Sequence, residues 1–390
     1  MTGVTTTVHW LEDGKAFEAQ WHSHSGAPPA THIMVADGKM TADEAYGLAC
    51  QGTALLWRGD FQEARQMLTA LGKRADRPQR RARTAVANPM AEIQTGNLAA
   101  AFHLYRQARS QRARTLNALL IPLNDDYSIP LRRAPDIRQA CLEAYGPAET
   151  ASVASLRGLQ GVIGAHEWRT KGIEIPEAGG RIHPHFGVFA PIRREYVDLI
   201  ATTPLPAACE SCSVAFDIGT GTGVLAAVLA RRGIERVVAT DLETRAIACA
   251  RENVRQLGLI ERIDVVQADL FPEGRAALVV CNPPWVPARP SSPMESGIYD
   301  PDSQMLRGFL RRLPGHLAPG GEGWLILSDL AEHLGLRTRA HLLQEFEAAG
   351  LNVLGRNDVP PRHPRAADKT DLLHHARTAE ITSLWRLAAR

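Results

Sequence analysis

The chain has 390 residues, of which 45% are hydrophobic and 22% charged, with a formal net charge of +2. This is the composition of a globular protein with roughly two or three domains, and the near-zero net charge gives no global argument for nucleic-acid binding. No run of about 18 apolar residues predicts a membrane span, no signal peptide is recognisable, and the six cysteines suit a reducing compartment, so we expect a cytoplasmic protein without membrane contact.

The N-terminal part of the chain predicts helices. Residues 1 to about 35 show no regular pattern, and Thr41 then begins a capping-box sequence whose apolar positions continue to Leu56. Asp60 begins a second predicted helix. We therefore expect a mostly helical region over residues 1–150 and assign it to substrate recognition.

A basic segment follows these helices. Between Lys73 and Arg114 there are ten Lys or Arg residues and two acids. Residues 77–83 predict an exposed basic loop, and residues 102–120 predict a helix with four arginines. Local positive charge of this density suits phosphate contacts, whereas a solvated helix face paired with acids elsewhere explains it equally simply. The lack of interleaved aromatic residues favours the second interpretation.

Residues 151–212 are expected to lead into a second domain. One short helix is predicted just before this segment, at 137–145, and another across its start, at 148–159. The sequence from 172 to 189 has a Gly-Gly turn between apolar stretches, which predicts a β-hairpin, and a helix follows at 192–201.

A glycine-rich turn then connects a strand to a helix. Residues 214–218 are apolar apart from Asp217, residues 219–223 read Gly-Thr-Gly-Thr-Gly, and residues 224–232 predict a helix. Such glycines let a ligand approach the main chain, and the helix start offers free N–H groups. The spacing differs from the G-x-G-x-x-G of dinucleotide binders, and an ordinary strand-to-helix turn would also explain this motif alone.

Acidic residues follow the next two predicted strands. Asp241 follows the strand at 236–240, where a carboxylate is placed to accept hydrogen bonds from ribose hydroxyls. Asp269 follows the strand at 263–268, where a carboxylate can accept from an adenine amine. Both positions are carboxyl ends of strands, and open α/β sheets bind their ligands at that edge.

The chemistry is predicted to lie in Asn282-Pro283-Pro284-Trp285, which follows a strand at 277–281. Two prolines make a stiff loop with free carbonyl acceptors. The side-chain oxygen of Asn282 and the carbonyl of Pro283 can each accept one hydrogen of an –NH2 group, and Trp285 can stack on the planar group behind it. Because an amide or aromatic amine is a poor nucleophile, such positioning is what its reaction needs.

Together these motifs resemble the class I S-adenosylmethionine-dependent methyltransferases, within the branch whose Asn/Asp-Pro-Pro-aromatic motif methylates planar nitrogen. That branch includes DNA and RNA amino-methyltransferases and release-factor glutamine methyltransferases. The resemblance covers residues 168–390, with Trp285 in place of the commoner tyrosine and Pro191-Ile192-Arg193-Arg194-Glu195 in place of Arg-Pro-Glu-Thr. It implies an α/β fold with a Rossmann-like seven-stranded sheet in residues 213–390. The remaining predicted elements of that domain are a loop at 286–302, helices at 303–313 and 337–349, and strands at 324–328, 351–359 and 380–387.

The resemblance also implies S-adenosyl-L-methionine as cofactor and no metal. Asp217 and the glycines would surround its methionine part, Asp241 its ribose, and Asp269 with the Leu270 backbone its adenine. The implied cofactor-binding residues are Asp217, Gly219, Thr220, Gly221, Gly223, Asp241, Leu242, Asp269, Leu270 and Asn282. The implied catalytic residues are Asn282, Pro283, Pro284 and Trp285.

The expected reaction is methyl transfer to a planar nitrogen of a macromolecule. The acceptor is either a protein glutamine of release-factor or ribosomal type or a base amine in RNA or DNA. One alternative is a non-catalytic or weakly catalytic RNA- or ribosome-binding protein on the same fold. Another is an NAD-dependent oxidoreductase, which would leave Asn-Pro-Pro-Trp unexplained.

Overall fold

The structure is a computed structural model that describes residues 6–23, 25–76, 92, 96–290, 295–362 and 371–390. The predicted basic loop at 77–83, residues 291–294 of the predicted loop at 286–302, and residues 363–370 therefore lie outside the described residues. The chain divides into two compact units. The first comprises Met1–Asn88, His103–Glu167 and Ser291–Pro293, and the second comprises Pro89–Phe102, Trp168–Pro290 and Met294–Arg390. The assignment of residues 1–150 to substrate recognition stays a prediction.

A six-stranded mixed sheet lies at the centre of the first unit, in the order β1-β2-β6-β5-β4-β3. Strands β3, β4 and β5 are parallel, while β1 pairs antiparallel with β2 and β5 with β6. The elements up to residue 171 are β1 Thr7–Glu12, β2 Lys15–His22, β3 His32–Ala36, α1 Ala42–Cys50, β4 Thr53–Trp57, α2 Phe61–Ala75, α3 Leu98–Asn117, β5 Leu119–Leu123, α4 Arg138–Tyr145, β6 Ser152–Ser155 and α5 Leu156–Lys171.

The prediction of a helical N-terminal region was wrong in omitting this sheet. Both predicted helix starts are confirmed, since Thr41 and Asp60 accept hydrogen bonds from main-chain N–H groups of the first turns of α1 and α2. The first helix, however, ends at Cys50, because Gly52 takes a φ of 88° and β4 begins directly after it. The apolar residues up to Leu56 therefore belong to a buried strand instead of a helical face.

The second unit begins with the predicted lead-in, in which two short strands, β7 and β8, pair antiparallel. The elements from residue 173 onward are β7 Ile173–Ile175, β8 Gly180–Ile182, α6 Glu195–Thr202, α7 Ala208–Ser211, β9 Val214–Ile218, α8 Val224–Arg231, β10 Arg236–Asp241, α9 Thr244–Gln256, β11 Ile263–Gln267, β12 Ala276–Cys281, α10 Gln304–His316, β13 Leu317–Ser328, α11 Leu330–His333, α12 Arg339–Ala348, β14 Leu351–Val359, α13 His374–Ala379 and β15 Thr382–Ala389.

Seven strands form the main sheet of this unit, in the order β11-β10-β9-β12-β13-β15-β14. Strands β9 to β13 are parallel, and β15 runs antiparallel between β13 and β14. Helices cover both faces, so strand residues are buried on both sides: Ala215 packs in one core and Phe216 in the other. The Rossmann-like seven-stranded fold is thus confirmed. Across the described residues, every helix is too short or too polar to serve as a membrane span.

Candidate active site

Parallel register brings the predicted site residues to one edge of the sheet. Ile218, the last residue of β9, pairs with Thr240 of β10 and with Cys281 of β12. The glycine loop, Asp241 and Asn282 therefore leave three neighbouring strands at the same height. The strand order also reverses between β9 and β12, and the crevice outside such a reversal is where open α/β sheets bind ligands.

The glycine loop uses backbone conformations that favour glycine. Gly219, Gly221 and Gly223 have φ values of 71°, 56° and 81°. A Cβ on Gly223 would lie 3.3 Å from the main chain of Ala250 in α9, whereas a Cβ on Gly221 would meet nothing within 4 Å. Gly223 is therefore needed for helix packing, and Gly221 faces open space in which a ligand can approach the main chain.

Asp217, near the end of β9, holds this loop through hydrogen bonds to its buried carboxylate. The residue is 1% exposed, and its Oδ2 accepts a hydrogen bond of 2.6 Å from the Thr220 hydroxyl and one of 3.0 Å from the main-chain N–H of Ala226. Burial raises its pKa from 3.8 to about 6, against the opposing effect of these two hydrogen bonds. Its carboxylate thus holds both the glycine loop and the start of α8.

Asp241 also binds the loop. One carboxylate oxygen accepts from the main-chain N–H of Gly221 and the other from that of Glu243, both at 3.0 Å. A carboxylate oxygen has two lone pairs, so each oxygen keeps one acceptor site for a ribose hydroxyl. Its neighbour Leu242 is 60% exposed and offers an apolar surface beside it.

The predicted adenine site lies after β11. Asp269 is exposed, and its main-chain carbonyl accepts a hydrogen bond of 2.8 Å from Arg312. Leu270 has a φ of 65°, rare for a residue with a side chain, and its carbonyl accepts from the Thr240 hydroxyl. These bonds hold the turn while leaving the Asp269 side chain exposed.

The Asn-Pro-Pro-Trp element contains an internal hydrogen bond that the sequence did not reveal. The indole Nε1–H of Trp285 donates to Oδ1 of Asn282 at 2.9 Å. Pro283 is buried, and the other three residues of the motif are half-buried. Because the amide oxygen has a second lone pair, it can still accept from a ligand, and its direction is now fixed by the indole.

Arg193 is a residue of this site that sequence reasoning missed. Its guanidinium lies 5.1 Å from the centre of the Trp285 ring, and it donates a hydrogen bond of 3.1 Å to Glu380. Glu380 is 2% exposed and accepts a second bond of 2.6 Å from Ser328. The sequence showed only that Arg193 departs from the family pattern, since its partner lies 187 residues away.

The segment after Trp285 folds back on itself and contacts the start of α10. Val286 and Asp300 are joined by a main-chain hydrogen bond of 2.9 Å. The Asp300 carboxylate, 4% exposed, accepts from the main-chain N–H groups of Met305 and Leu306 at the start of α10, and burial raises its pKa. A Cβ on Gly219 would lie 2.7 Å from the Met305 methyl group. Asp300 thus places the start of α10 against the glycine loop.

Comparison with known proteins shows what part of this unit is similar to. Residues 181–350 match the family model of the Methyltransferase small domain. The release factor glutamine methyltransferase of Cereibacter sphaeroides is 34% identical over 38% of this chain and 57% of its own length. The ribosomal protein L11 methyltransferase of Pelotomaculum thermopropionicum is 38% identical over 37% of this chain and 39% of its own length. The tRNA1(Val) (adenine(37)-N6)-methyltransferase of Vibrio campbellii is 38% identical over 18% of this chain and 30% of its own length.

The chain thus spans between 30% and 57% of the length of these relatives. Their names differ in substrate and agree in methyl transfer. The strand order, the glycine loop and the Asn-Pro-Pro-Trp element all lie in the second unit, which contains the matched residues. Residues 181–350 of this chain are therefore similar to the Methyltransferase small domain, and this match covers less than half of the chain.

Proposed function

We propose that this protein transfers a methyl group from S-adenosylmethionine to a planar nitrogen of a macromolecule. The main support is the position of Asn282-Pro283-Pro284-Trp285 directly after β12, beside the glycine loop that follows the neighbouring strand β9. An acceptor site for an –NH2 group and a loop open to a ligand therefore share one crevice.

The cofactor side of the crevice is formed by residues with separate tasks. Gly221 gives room above the loop, and the N–H groups at the start of α8 attract the negative part of a ligand. Asp241 would accept from the ribose hydroxyls, and Asp269 with the Leu270 main chain would hold the adenine. When bound, S-adenosylmethionine supplies an electrophilic methyl group on a sulfonium.

On the acceptor side, Asn282 and Pro283 would position the nitrogen. Oδ1 of Asn282 and the Pro283 carbonyl each accept one hydrogen of the –NH2 group, which turns the nitrogen lone pair toward the methyl group. The ring of Trp285 would stack on the planar group that carries the amine. The nitrogen would take the methyl group as its bond to sulfur breaks, and the surplus proton would leave to solvent.

Two classes of acceptor fit this arrangement: the side-chain amide of a protein glutamine and the exocyclic amine of a nucleic-acid base. The relatives include enzymes named for a release factor, a ribosomal protein and a tRNA, which supports a macromolecular substrate. Radiolabelled methyl transfer to a cell extract, followed by nuclease or protease treatment, separates the two classes. Release of the label by nuclease identifies nucleic acid, and release by protease identifies protein.

The cofactor assignment is tested by calorimetry with S-adenosylmethionine, S-adenosylhomocysteine and NAD. We expect the wild type to bind the two sulfur ligands, and Asp241→Ala to lose that binding. Asp264→Ala is the matched control, because this acid lies on β11 and pairs with Arg236 at the surface. Binding of NAD alone, or of none of the three, would overturn the proposed function.

The acceptor assignment is tested by Asn282→Ala. We expect methyl transfer to fall by orders of magnitude while the affinity for S-adenosylmethionine barely changes. An equal loss of both would show that Asn282 supports the fold and does not orient the amine.

A further inference from the structure

We propose that a cationic pocket in the first unit binds the phosphate backbone of a nucleic acid. The pocket has a volume of about 350 Å³ and lies between α2, α3 and α5. Its polar lining includes Lys73, Asp76, Arg112, Arg157 and Gln160. It takes no part in the proposed methyl transfer, and binding to it can be measured without any cofactor.

The charges that line the pocket do not balance. Asp76 is its single acid, and Arg112 binds that carboxylate through Nε at 2.6 Å and Nη2 at 2.9 Å. Lys73 and Arg157 have no ion-pair partner among the residues that the structure describes. Two positive charges are therefore left without a counter-charge in a concave site, which is an arrangement that attracts anions.

Arg157 shows this most clearly. Its Nη1 is buried and has no hydrogen-bond partner in the described part of the chain. Burial lowers its pKa, and the nearby positive charges of Arg112 and Arg109 lower it further. Arg157 also lies in the first turn of α5, where the helix end adds partial positive charge. An anionic oxygen in the pocket would satisfy the N–H group and offset the repulsion among the cations.

The kind of cationic group and its spread along α3 favour a chain of phosphates over a single anion. Guanidinium groups match phosphate oxygens in geometry. Helix α3 carries Arg106, Arg109, Arg112 and Arg114 and contains no acidic residue. In the sequence, four further arginines follow α2 within residues 77–83. Because the described residues that line the pocket include no aromatic side chain, we expect contacts to the nucleic-acid backbone and little preference for base sequence.

Fluorescence anisotropy with a labelled short single-stranded RNA tests this inference on the full chain. Binding is measured over a range of salt concentrations for the wild type and for Lys73→Met, Arg157→Met and the double variant. Each phosphate contact that is lost should reduce the slope of log K against log salt by about 0.7, so the double variant should lose about 1.4. Arg157→Lys should recover part of the effect because it restores the charge.

Arg138→Met is the matched control, since this exposed arginine of the first unit pairs with Asp136 away from the pocket. Lys73 is exposed, so its variant stays informative if Arg157→Met fails to fold. Unchanged slopes in the pocket variants, or an equal loss in the control, would overturn the inference. The inference would also be overturned if polyglutamate or inorganic phosphate displaced the labelled RNA as effectively as unlabelled RNA does. Because no cofactor is added, this result is independent of the test of methyl transfer.

Discussion

Trp285 fixes the amide of Asn282: its indole N–H donates a hydrogen bond of 2.9 Å to Oδ1 of that residue. An asparagine side chain can rotate and exchange its oxygen and nitrogen, and only the oxygen is an acceptor for an –NH2 hydrogen. The indole bond selects the orientation in which the oxygen is held, so Trp285 has a role that its ring face alone does not explain.

We predict that Trp285→Phe lowers kcat by about fivefold and leaves the affinity for S-adenosylmethionine unchanged. Phenylalanine keeps a stacking face and loses the N–H donor, and one hydrogen bond contributes about 1 kcal/mol. Single-turnover methyl transfer together with calorimetry measures both quantities. A wild-type kcat in this variant would show that Asn282 is oriented without the indole. Trp285→Ala also removes the ring and should be slower still.

Arg193 is expected to position Trp285, because its guanidinium lies 5.1 Å from the ring centre and is held by Glu380. Arg193→Met should lower kcat, and combining it with Trp285→Phe should cost less than the sum of the two losses. Tryptophan fluorescence should also shift in Arg193→Met, whereas Arg193→Lys should retain part of the wild-type signal. The control is Arg194→Met, since Arg194 pairs with Glu177. Fully additive losses would place Arg193 outside this chain of contacts.

Asp217 should make stability depend on pH. Its pKa is about 6 in the folded protein against an ordinary 3.8, so between these values the folded state holds a proton that the unfolded state has released. The free energy of unfolding should therefore fall as pH rises from about 4 to about 6 and stay low above that. The difference between the two pKa values corresponds to a change in the free energy of unfolding of at most about 3 kcal/mol.

Asp217→Asn removes this titration. Both hydrogen bonds go to one oxygen of Asp217, so an amide oxygen can replace it. Urea unfolding of both proteins across this pH range should give a difference in unfolding free energy that varies with pH through the same interval. Since the other carboxyl groups are common to the two proteins, their titration cancels. A constant difference would contradict the raised pKa.

The second unit could be predicted from the sequence because its signals are local. Each of its central strands is a short apolar run with a turn or an acid at its end, and β9 at Val214–Ile218 falls where the apolar residues predict it. The first unit lacked such signals. In β3, His32–Ala36 is only partly buried, and the apolar residues of β4 continue the spacing of the helix before them. Only the left-handed backbone of Gly52 separates the two elements.

The side-chain contacts of the site could not be predicted in the same way. The sequence predicts Asn282 and Trp285 from what each side chain can offer a ligand, whereas the hydrogen bond between them depends on how both side chains are rotated. The contact of Arg193 with Glu380 joins two segments whose separation in the chain hides it. The resemblance implies that Asp217 contacts the methionine part of the cofactor, and the structure adds a hydrogen bond that its carboxylate accepts from the Thr220 hydroxyl.

Gly221 and Gly223 should respond differently to the same substitution. Both have positive φ, so Gly221→Ala and Gly223→Ala should each lose about 1 kcal/mol to backbone strain. Only the Cβ at position 223 would also press on the main chain of Ala250, at 3.3 Å. Because a helix backbone cannot move aside as a side chain does, Gly223→Ala should be the less stable variant in urea unfolding.

The affinity for S-adenosylmethionine should be affected more strongly by Gly221→Ala than by Gly223→Ala, which is the reverse of their order in loss of stability. The methyl group of Gly221→Ala enters the open space above the loop, so it should weaken binding even though it disturbs no neighbouring residue. Measured by calorimetry at a temperature where both variants are folded, Gly221→Ala should show the greater loss of affinity relative to its loss of stability. Wild-type affinity in Gly221→Ala would mean that the cofactor does not approach the main chain at this position, and the contact would have to be assigned to another part of the crevice.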